Sequence, residues 1–554
     1  MDDRMGMRPS GRRRRWLLGG LLVLGMVAQA CGDDGGSSSS SSGSGSDTSA
    51  ASGGAPTSAA GGSTTAQPED VDPNGVLRVA VDLTSAGGVN LDPVEMNQPT
   101  DFHIHYNIFD TLLRQQEDGS YEPGLAKEAV IVDPSTITVE LHDGITFQDG
   151  TPLDAEAVKF SIERNAATNK VQTFRMAELG QLDTIEVHDP LNLTIRLKQP
   201  VAGSFYNLLA HNETLVVSPT AVRNGTDLNV TPVGAGPFMV ESYERESLLR
   251  LVKWDGYFQA DRIKLAGIDY VQVSAQNMVT ALRSNTVDAA YITANVASQL
   301  RGGGVEVRSE RSPNSVAWVS LQCDTVPALM DVRVRQALNY ATDKEAINAA
   351  IFNGAGEPMS QMWTSDTPYF NQEIAPRYDH DVERAKQLLA EAGHADLSLT
   401  MAVLQGQGQR MAELLQAQWA EAGIDVALQP VANVIQEYYL DRSSNAMPTT
   451  QTRMWTDKIT RNFSPGSTGH TCRIEDPEFQ AKVRELQGFP PDSEEAASLW
   501  KELSAMLSDR AWGVFGAMGT VDNAWDPDVV GNPTWRPNQV GQLWPDVFSV
   551  YVKR

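Results

Sequence analysis

Two histidines that lie close together in the chain, His103 and His105, have a spacing that could serve metal binding. On a β-strand, where alternate side chains share a face, the segment HIH would present both imidazoles to one side. A metal site needs further ligands, and no cysteine or carboxylate cluster stands close to the pair in the sequence. We therefore interpret the two histidines as a hydrogen-bonded or surface pair and predict no metal site.

Motifs for nucleophilic or phosphoryl chemistry are missing from the sequence. The segment PGSTGH at 465–470 lacks the Gly-x-Ser-x-Gly spacing of a hydrolase nucleophile, because Gly466 directly precedes Ser467. The chain contains neither a Gly-x-x-x-x-Gly-Lys phosphate loop nor a His-Glu-x-x-His zinc motif. The order of residues thus assigns no catalytic group and no cofactor, although it leaves open a site assembled from distant segments.

The three cysteines, Cys31, Cys323 and Cys472, are the remaining reactive groups. Cys31 follows a basic block at 12–15 and an apolar run at 16–30, the pattern of an export signal. If Cys31 is modified, an even pair is left for an oxidising compartment. We favour a disulfide between Cys323 and Cys472, and the alternative is two buried free thiols.

The segment VAQAC at 27–31 resembles a bacterial lipobox, with Gln29 as a departure from the usual pattern. The resemblance implies cleavage before Cys31 and lipidation of that cysteine, which would make 1–30 a lipoprotein signal peptide. The alternative is an ordinary signal with an incidental cysteine. The arginines before Trp16 leave both general and twin-arginine export open. The Ser/Gly-rich stretch 31–74 is typical of a flexible, disordered tether.

Composition excludes one class of partner. The 554-residue chain carries a formal net charge of −26, and cationic contacts supply most affinity for nucleic acids. We therefore predict no nucleic-acid partner. The part after the tether is too long for a single core, which predicts two or three compact bodies.

Periodicity places strands early in the chain and helices among strands later. GVLRVAVD at 75–82 alternates as a strand does, and hairpins are predicted in the regions 184–200 and 237–254. A helix at 331–352 would begin at Asp331, and a second would end at Gly393. A strand is predicted near the C-terminus in DVFSVYVK. The fold class is therefore α/β with a β-rich insertion.

Several segments in a fixed order resemble the ABC-transporter substrate-binding proteins of bacterial solute-binding family 5, the peptide and nickel type. The segment YNIFDTLLRQQEDGSYEPGLAKEAVIVDPSTITVELHDGITFQDGTPLDAEAVKFSIER at 106–164 is similar to that family's signature almost throughout. GAGPF, ALRSNTVDAAYI, DVRVRQALNYATDKEAI and YDHDVERAKQLLAEAG are similar to further blocks. The resemblance extends over nearly all of 77–554.

This resemblance implies a two-lobed periplasmic-binding-protein fold of type II, enlarged by an extra β-rich domain. Lobe 1 would combine residues 75–116, 231–312 and 516–554. The inserted subdomain would span 117–230, and lobe 2 would span 313–515. Solute would bind in the cleft between the lobes, whose connections act as a hinge.

The resemblance and the residue types together indicate candidate ligand contacts. These candidates are Asn97, Tyr106, Trp363, Gln405, Gln407, Trp455 and Asp457. In peptide binders of the family an Asp shortly after a Trp holds the ligand's amino terminus, and here Trp455 and Asp457 occupy that place. The usual continuation of that motif is missing, so Asp457 is either a ligand contact or a surface carboxylate. Tyr106 either stacks on ligand or belongs to the core.

A second candidate loop, at 404–410, bears on the class of solute. In dipeptide binders a basic residue in this loop meets the ligand carboxylate, whereas this chain has Gln405, Gln407 and Gln409. Amide side chains suit neutral hydrogen-bonding partners, sugars as well as peptide backbone.

The resulting prediction is an exported, membrane-anchored or periplasmic monomer that captures a peptide-like solute for an ABC permease with a separate ATPase. The sequence leaves alternatives open. Within binding proteins they are an oligosaccharide, another neutral solute, or a nickel chelate. From other classes they are a hydrolase or chaperone that acts on exported peptides, and a receptor that signals to a membrane kinase.

Overall fold

The computed structural model describes residues 70–84, 88–96, 99–168, 179–365, 367–449, 463, 469–537 and 542–554. Cys31, Asn97, Trp455 and Asp457 lie outside these ranges. The described residues all belong to one compact unit, Thr65–Arg554. Within the described ranges, no helix has the length and the apolar character that a membrane span requires.

Strands occur along the whole described part of the chain. They are β1 (Val76–Val81), β2 (Leu113–Gln115), β3 (Tyr121–Pro123), β4 (Ala126–Asp133), β5 (Thr136–Leu141), β6 (Leu182–Asp189), β7 (Asn192–Leu197), β8 (Phe238–Glu244), β9 (Leu248–Lys253), β10 (Gly267–Gln272), β11 (Ala289–Ile292), β12 (Glu306–Leu321), β13 (Glu357–Pro358), β14 (Ser398–Val403), β15 (Asp425–Pro430), β16 (Ala446–Thr449), β17 (Gly513–Trp525), β18 (Val530–Gly531), β19 (Trp535–Pro537), β20 (Leu543–Pro545) and β21 (Tyr551–Val552).

Helices are more frequent in the second half. They are α1 (Pro99–Phe109), α2 (Ala155–Thr168), α3 (Ala202–Leu208), α4 (Pro219–Arg223), α5 (Met278–Arg283), α6 (Ala294–Leu300), α7 (Val332–Tyr340), α8 (Lys344–Phe352), α9 (Val382–Ala392), α10 (Gln407–Glu421), α11 (Pro477–Leu486) and α12 (Glu494–Arg510). A short π-helix spans Ile435–Leu440. Together with the strands, these helices confirm the predicted α/β class.

The largest sheet in the described part of the chain has the strand order β15-β14-β16-β12-β17-β11-β1-β10-β9-β8, and β13 pairs with β17. β1 lies between two parallel neighbours, β10 and β11. A separate antiparallel sheet has the order β4-β5-β7-β6 and lies in the region predicted to be an insertion.

Buried apolar side chains form two large, separate cores. The first core includes Leu77, Ile104, Phe147, Tyr270 and Val552. The second core includes Val319, Leu338, Met401, Trp500 and Phe515. The early and the C-terminal segments supply the first core, and the segment between them supplies the second.

The long antiparallel pair β12–β17 runs from one core to the other. Residues 306–311 of β12 pair with 520–525 of β17 beside β11, whereas 318–320 pair with 513–515 beside β16. Between these two regular stretches the register shifts, at Arg311–Val316 and again before Trp318. The chain thus passes between the cores through two hydrogen-bonded strands whose pairing is irregular at the passage.

A disulfide joins Cys323, just after β12, to Cys472, with 4.4 Å between their Cα atoms. It is the pairing favoured from the sequence. Because 149 residues separate the two cysteines, the bond links distant parts of the second core.

Three local predictions differ from the structure. The segment HIH lies in helix α1 and not on a strand. The helix predicted over 331–352 is two helices, because Asp343 accepts a hydrogen bond from the Ala346 amide at 2.9 Å and caps a new one. In DVFSVYVK only Tyr551–Val552 is a strand, since the preceding residues form a turn around Asp546.

Candidate functional site

Helix α1 carries Tyr106, one of the predicted ligand contacts, and both histidines of the HIH segment. Its proline at the first position suits a helix start, and Asp101 in the first turn favours the helix dipole. Ile104 and Ile108, four residues apart, are fully buried in the first core. The helix ends before Asp110, whose φ of 60° is left-handed, and the Ile108 carbonyl accepts the Gly236 amide at 2.9 Å.

The two histidines of α1 are both buried and hydrogen bonded. His103 Nε2 lies 2.9 Å from the Tyr270 hydroxyl, and His105 Nε2 lies 2.7 Å from the Asn90 carbonyl oxygen. Burial, together with the positive charge of Arg536, lowers the pKa of His103 to about 3, and burial lowers the pKa of His105 to about 4. Both imidazoles are therefore neutral at physiological pH.

The described residues contain no cluster of three or more His, Cys, Asp or Glu that could hold a metal ion. The His103 ring instead stacks on the Trp544 indole, with ring centroids 4.3 Å apart. The roles of the two histidines are thus packing and hydrogen bonding within the first core.

Tyr106, a predicted ligand contact, lies on the same helix with 8% of its surface exposed. Its hydroxyl is 3.1 Å from His211 Nδ1, and His211 Nε2 is 3.2 Å from Asn207 Oδ1. The guanidinium carbon of Arg536 lies 5.6 Å from the centroid of the tyrosine ring. Tyr106 therefore belongs to the first core, and contact between its ring and a ligand stays a prediction.

A buried ion pair stands immediately after α1. Arg114 Nη2 donates to Asp110 Oδ2 at 2.7 Å and Nε donates to Oδ1 at 3.2 Å, while the Tyr257 hydroxyl donates to Asp110 Oδ2 at 2.7 Å. Burial alone would raise the pKa of Asp110, but the Arg114 guanidinium holds it below its usual range. Because every charged atom of this pair has a partner, we assign the pair to the framework of the first core and not to chemistry.

The hairpin β19–β20 packs against α1. Arg536 and Trp544 are direct partners across its two strands, so their side chains lie on one face of the hairpin. Trp544 from this face stacks on His103, as described above, and Arg536 lies over Tyr106. Trp535 and Leu543, on the opposite face, join Ala289 and Val521 of the large sheet in a small apolar cluster.

The remaining predicted residues of lobe 2 have different environments. Trp363 is only 2% exposed and packs in the second core, with its ring 5.2 Å from Trp500 and 4.7 Å from Tyr369. Gln405 and Gln407 are exposed at the start of α10, where Gln407 Nε2 donates to the Ile351 carbonyl at 3.4 Å. Ligand contacts from these three residues stay predictions.

Sequence reasoning missed Arg536 and the hairpin that carries it. A usable signal was present, because TWRP and QLWP place a Trp next to or near a Pro on both sides of the four residues 538–541. Such aromatic residues on paired short strands are typical of a hairpin that covers another element.

A direct contact links the region predicted as the inserted subdomain to the second half of the chain. The Gly203 amide at the start of α3 donates to the Gln487 carbonyl at 2.8 Å, and the Ser204 amide donates to Gln487 Oε1 at 2.7 Å. The Tyr121 amide donates to Asp492 Oδ2 at 3.2 Å. The two cores therefore touch at the ends of α3 and α11 as well as through β12 and β17.

Comparison with known proteins gives a consistent result. Residues 120–472 match the family model described as bacterial extracellular solute-binding proteins, family 5 middle. The glutathione-binding protein GsiB of Salmonella paratyphi A is 29% identical over 356 residues, which are 62% of this chain and 68% of that protein.

Two solved structures are similar over most of the chain. HbpA2 from Haemophilus parasuis has a TM-score of 0.75 and 21% identity, with 87% of this chain and 100% of that chain covered. The periplasmic binding protein DppA from Helicobacter pylori, in complex with the peptide STSA, has a TM-score of 0.67 and 19% identity, with 88% and 99% covered. These likenesses confirm the predicted two-lobed fold.

Proposed function

Because the chain belongs to family 5 of the bacterial extracellular solute-binding proteins, we propose that it captures a peptide-like solute in an interlobe cleft and delivers it to an ABC permease. A separate ATPase would drive transport, since the sequence has no phosphate loop of its own. In this role the protein is a receptor without catalytic activity, cofactor or nucleic-acid partner, and it acts as a monomer.

The observation that carries the proposal is the passage between two cores through β12 and β17. Only these two strands run from one core into the other, among the strands that the structure describes, and their register is irregular at that point. Two chain connections between the cores, with irregular hydrogen bonding between their strands, are suited to act as a hinge. A solute then shifts the equilibrium between the open and closed forms toward the closed form. The free energy of this shift equals the difference between the binding free energies of the two forms.

Peptide-like solutes occur among the relatives, beside a nickel–histidine complex. GsiB is a glutathione-binding protein, glutathione is itself a modified tripeptide, and DppA of H. pylori has a peptide bound. These proteins support a peptide-like solute here through common family membership and common fold.

The lobe boundaries belong to the same proposal. Lobe 1 combines 75–116, 231–312 and 516–554, the inserted subdomain is 117–230, and lobe 2 is 313–515. The membership of the first and second cores supports this division. Ala517 and Met518 pack in the second core, which favours a passage a few residues later in β17 than the proposed boundary.

We further propose that the receptor is a lipoprotein. Residues 1–30 would be its signal peptide, Cys31 its lipidated first residue, and 31–74 a tether that holds the lobes at the outer face of the membrane. Metabolic labelling with a radioactive fatty acid should mark the wild type and leave the Cys31→Ser variant unlabelled. Equal labelling of both would contradict the anchor.

A single binding experiment tests the receptor function. The protein is purified without denaturation, and native mass spectrometry is combined with thermal melting in the presence of a random tripeptide library or of malto-oligosaccharides. We expect the tripeptides to raise the melting temperature and to be recovered unchanged. Stabilisation by the oligosaccharides alone would indicate a neutral-solute receptor, and cleavage of the tripeptides would indicate a hydrolase.

A further inference from the structure

Arg536, on strand β19, has a guanidinium group that lies over the Tyr106 ring but has no acceptor for its Nη2 atom among the described residues. Its Nη2 atom is fully buried and makes no hydrogen bond, and the side chain has no ion pair with any residue that the structure describes. The residue as a whole keeps part of its surface exposed. A buried N–H group of a cation that finds no acceptor is costly, so its retention needs an explanation.

Two arginines that are more deeply buried show how this sequence satisfies such a group. Arg114 is bound by Asp110 and Tyr257, as described above. Arg335 donates to backbone carbonyls, among them those of Leu329 at 2.7 Å and Arg510 at 2.8 Å. Arg536 departs from both patterns, because no carboxylate or carbonyl of the described residues accepts a hydrogen bond from it.

The acidic groups that act on Arg536 are engaged elsewhere. Asp110 is held by Arg114 and Tyr257. Asp546 accepts the Phe548 amide at 3.2 Å and the Ser549 hydroxyl at 3.3 Å. Burial, followed by repulsion from Arg114, lowers the pKa of Arg536, as expected for a cation whose charge is poorly compensated.

The group nearest to Arg536 across the hairpin adds another donor. Trp544 is its direct cross-strand partner, and the buried indole Nε1–H of Trp544 has no acceptor among the described residues. His103, which stacks on that indole, is neutral and already bonded to Tyr270. A guanidinium and an indole N–H on the same face of the hairpin offer only donors, and such donors match an anion with planar oxygens.

We propose that Arg536, assisted by the Trp544 indole N–H, recognises a carboxylate of the bound solute. The inference rests on the proposed receptor function and adds to it the chemical class of the solute, an acid. The carboxylate is either a peptide C-terminus or an acidic side chain, and both present the same two oxygens to the guanidinium fork.

The test uses three random tripeptide libraries with the purified full-length protein. The first library has free C-termini, the second is amidated at the C-terminus, and the third is amidated and lacks Asp and Glu. We expect the third to bind the wild type at least about ten-fold more weakly than the first. The second library should bind as weakly as the third if Arg536 recognises the C-terminus. It should bind as tightly as the first if Arg536 recognises acidic side chains.

The variant Arg536→Met should bind the three libraries equally, whereas Arg223→Met should keep the wild-type preference. Arg223 is the matched control because it also lies over an aromatic ring, 5.2 Å from the centroid of Phe160, but on an exposed part of α4. Arg536→Lys keeps the charge and loses the planar fork, so a weaker preference is expected for it. If the Met variant fails to fold, the Lys variant tests the preference for carboxylates in its place.

A melting curve without ligand separates binding from a structural role. Removal of an unpaired buried charge should leave the melting temperature of Arg536→Met equal to or above that of the wild type. Equal binding of all libraries by the wild type, or an unchanged preference in Arg536→Met, would overturn this inference alone. No response of the wild type to any library would overturn the proposed function, and this inference with it.

Discussion

Two buried histidines on α1 should make the stability of the first core depend on pH. Their folded-state pKa values, about 3 for His103 and about 4 for His105, lie below the ordinary value near 6.5. The unfolded chain therefore takes up protons first as the pH falls. The stabilisation is complete above about pH 6.5 and is lost progressively as the pH falls, down to about pH 4 for His105 and about pH 3 for His103.

We expect each histidine to remove roughly 1–2 kcal/mol from the free energy of unfolding when the pH changes from 7.5 to 5. Urea unfolding followed by tryptophan fluorescence at both values measures this loss. His105→Gln, whose amide N–H can still reach the Asn90 carbonyl, should lose less stability at pH 5 than the wild type does. The exposed His380→Gln is the matched control, and an equal pH dependence in all three proteins would contradict the prediction.

Individual side chains of the site were the hardest features to predict from the sequence. Tyr106 and Trp363 were named for their aromatic character, yet both are buried with partners that come from distant segments, His211 and Trp500. Arg536 was not named at all. Its significance depends on the lack of an acceptor for Nη2 among the described residues, and such a lack cannot be seen in the sequence.

Close approach of backbone to backbone fixes the end of α1 against the segment GAGPF. A Cβ atom on Gly236 would lie 2.6 Å from the Ile108 carbonyl carbon and 2.8 Å from the Asn107 carbonyl oxygen. Gln148 strengthens the same junction, because its Nε2 donates to the carbonyls of Ile108 at 3.2 Å and Phe238 at 2.8 Å. The helix that bears Tyr106 is thereby held in place by β8 and the loop before it.

We expect Gly236→Ala to lower the free energy of unfolding by about 1–3 kcal/mol, because backbone atoms cannot rotate away from the added methyl group. Chemical denaturation measures the change. Gly408→Ala is the control, since its Cβ would meet only a side-chain carbon of Leu404 at 3.1 Å and a carbonyl at 3.9 Å. Equal losses in the two variants would show that the packing at α1 is not special.

Elements with strong local signals were predicted well. β1 occupies Val76–Val81 within the predicted strand, and α9 ends at Gly393, which has a φ of 79°. Elements whose conformation depends on distant contacts were not. The alternation in HIH indicated a strand, but Ile104 and Ile108 join one core only in a helix, and that core overrides the local pattern.

At the scale of the whole molecule, the order of family segments predicted the two-lobed fold, whereas the contacts between the halves were unpredictable. β12 pairs irregularly with β17, and α3 contacts Gln487. Both contacts join residues that are far apart in the chain. No periodicity or composition marks such pairs. They matter for function, because a receptor that closes around solute must gain its contacts between lobes in the closed form.

The contact between α3 and Gln487 therefore makes a testable prediction about closure. If it forms fully only when the lobes close, Gln487→Ala removes the acceptor of the Ser204 amide from the closed form alone, and the affinity for the tripeptide library falls roughly two- to ten-fold.

Gly203→Val should have a larger effect, since its Cβ would lie 2.9 Å from the Phe489 carbonyl oxygen and 3.3 Å from the Gln487 Cα. Small-angle scattering with solute should then report a larger radius of gyration than for the wild type. Gln387→Ala is the matched control and should bind normally, because the Gln387 side chain on α9 bonds to its neighbours Arg384 and Glu391 within the same helix. If the contact is present with and without solute, Gln487→Ala should bind with unchanged affinity and melt at a lower temperature. In that case α3 contacts the second half of the chain permanently, and the closing movement takes place at β12 and β17.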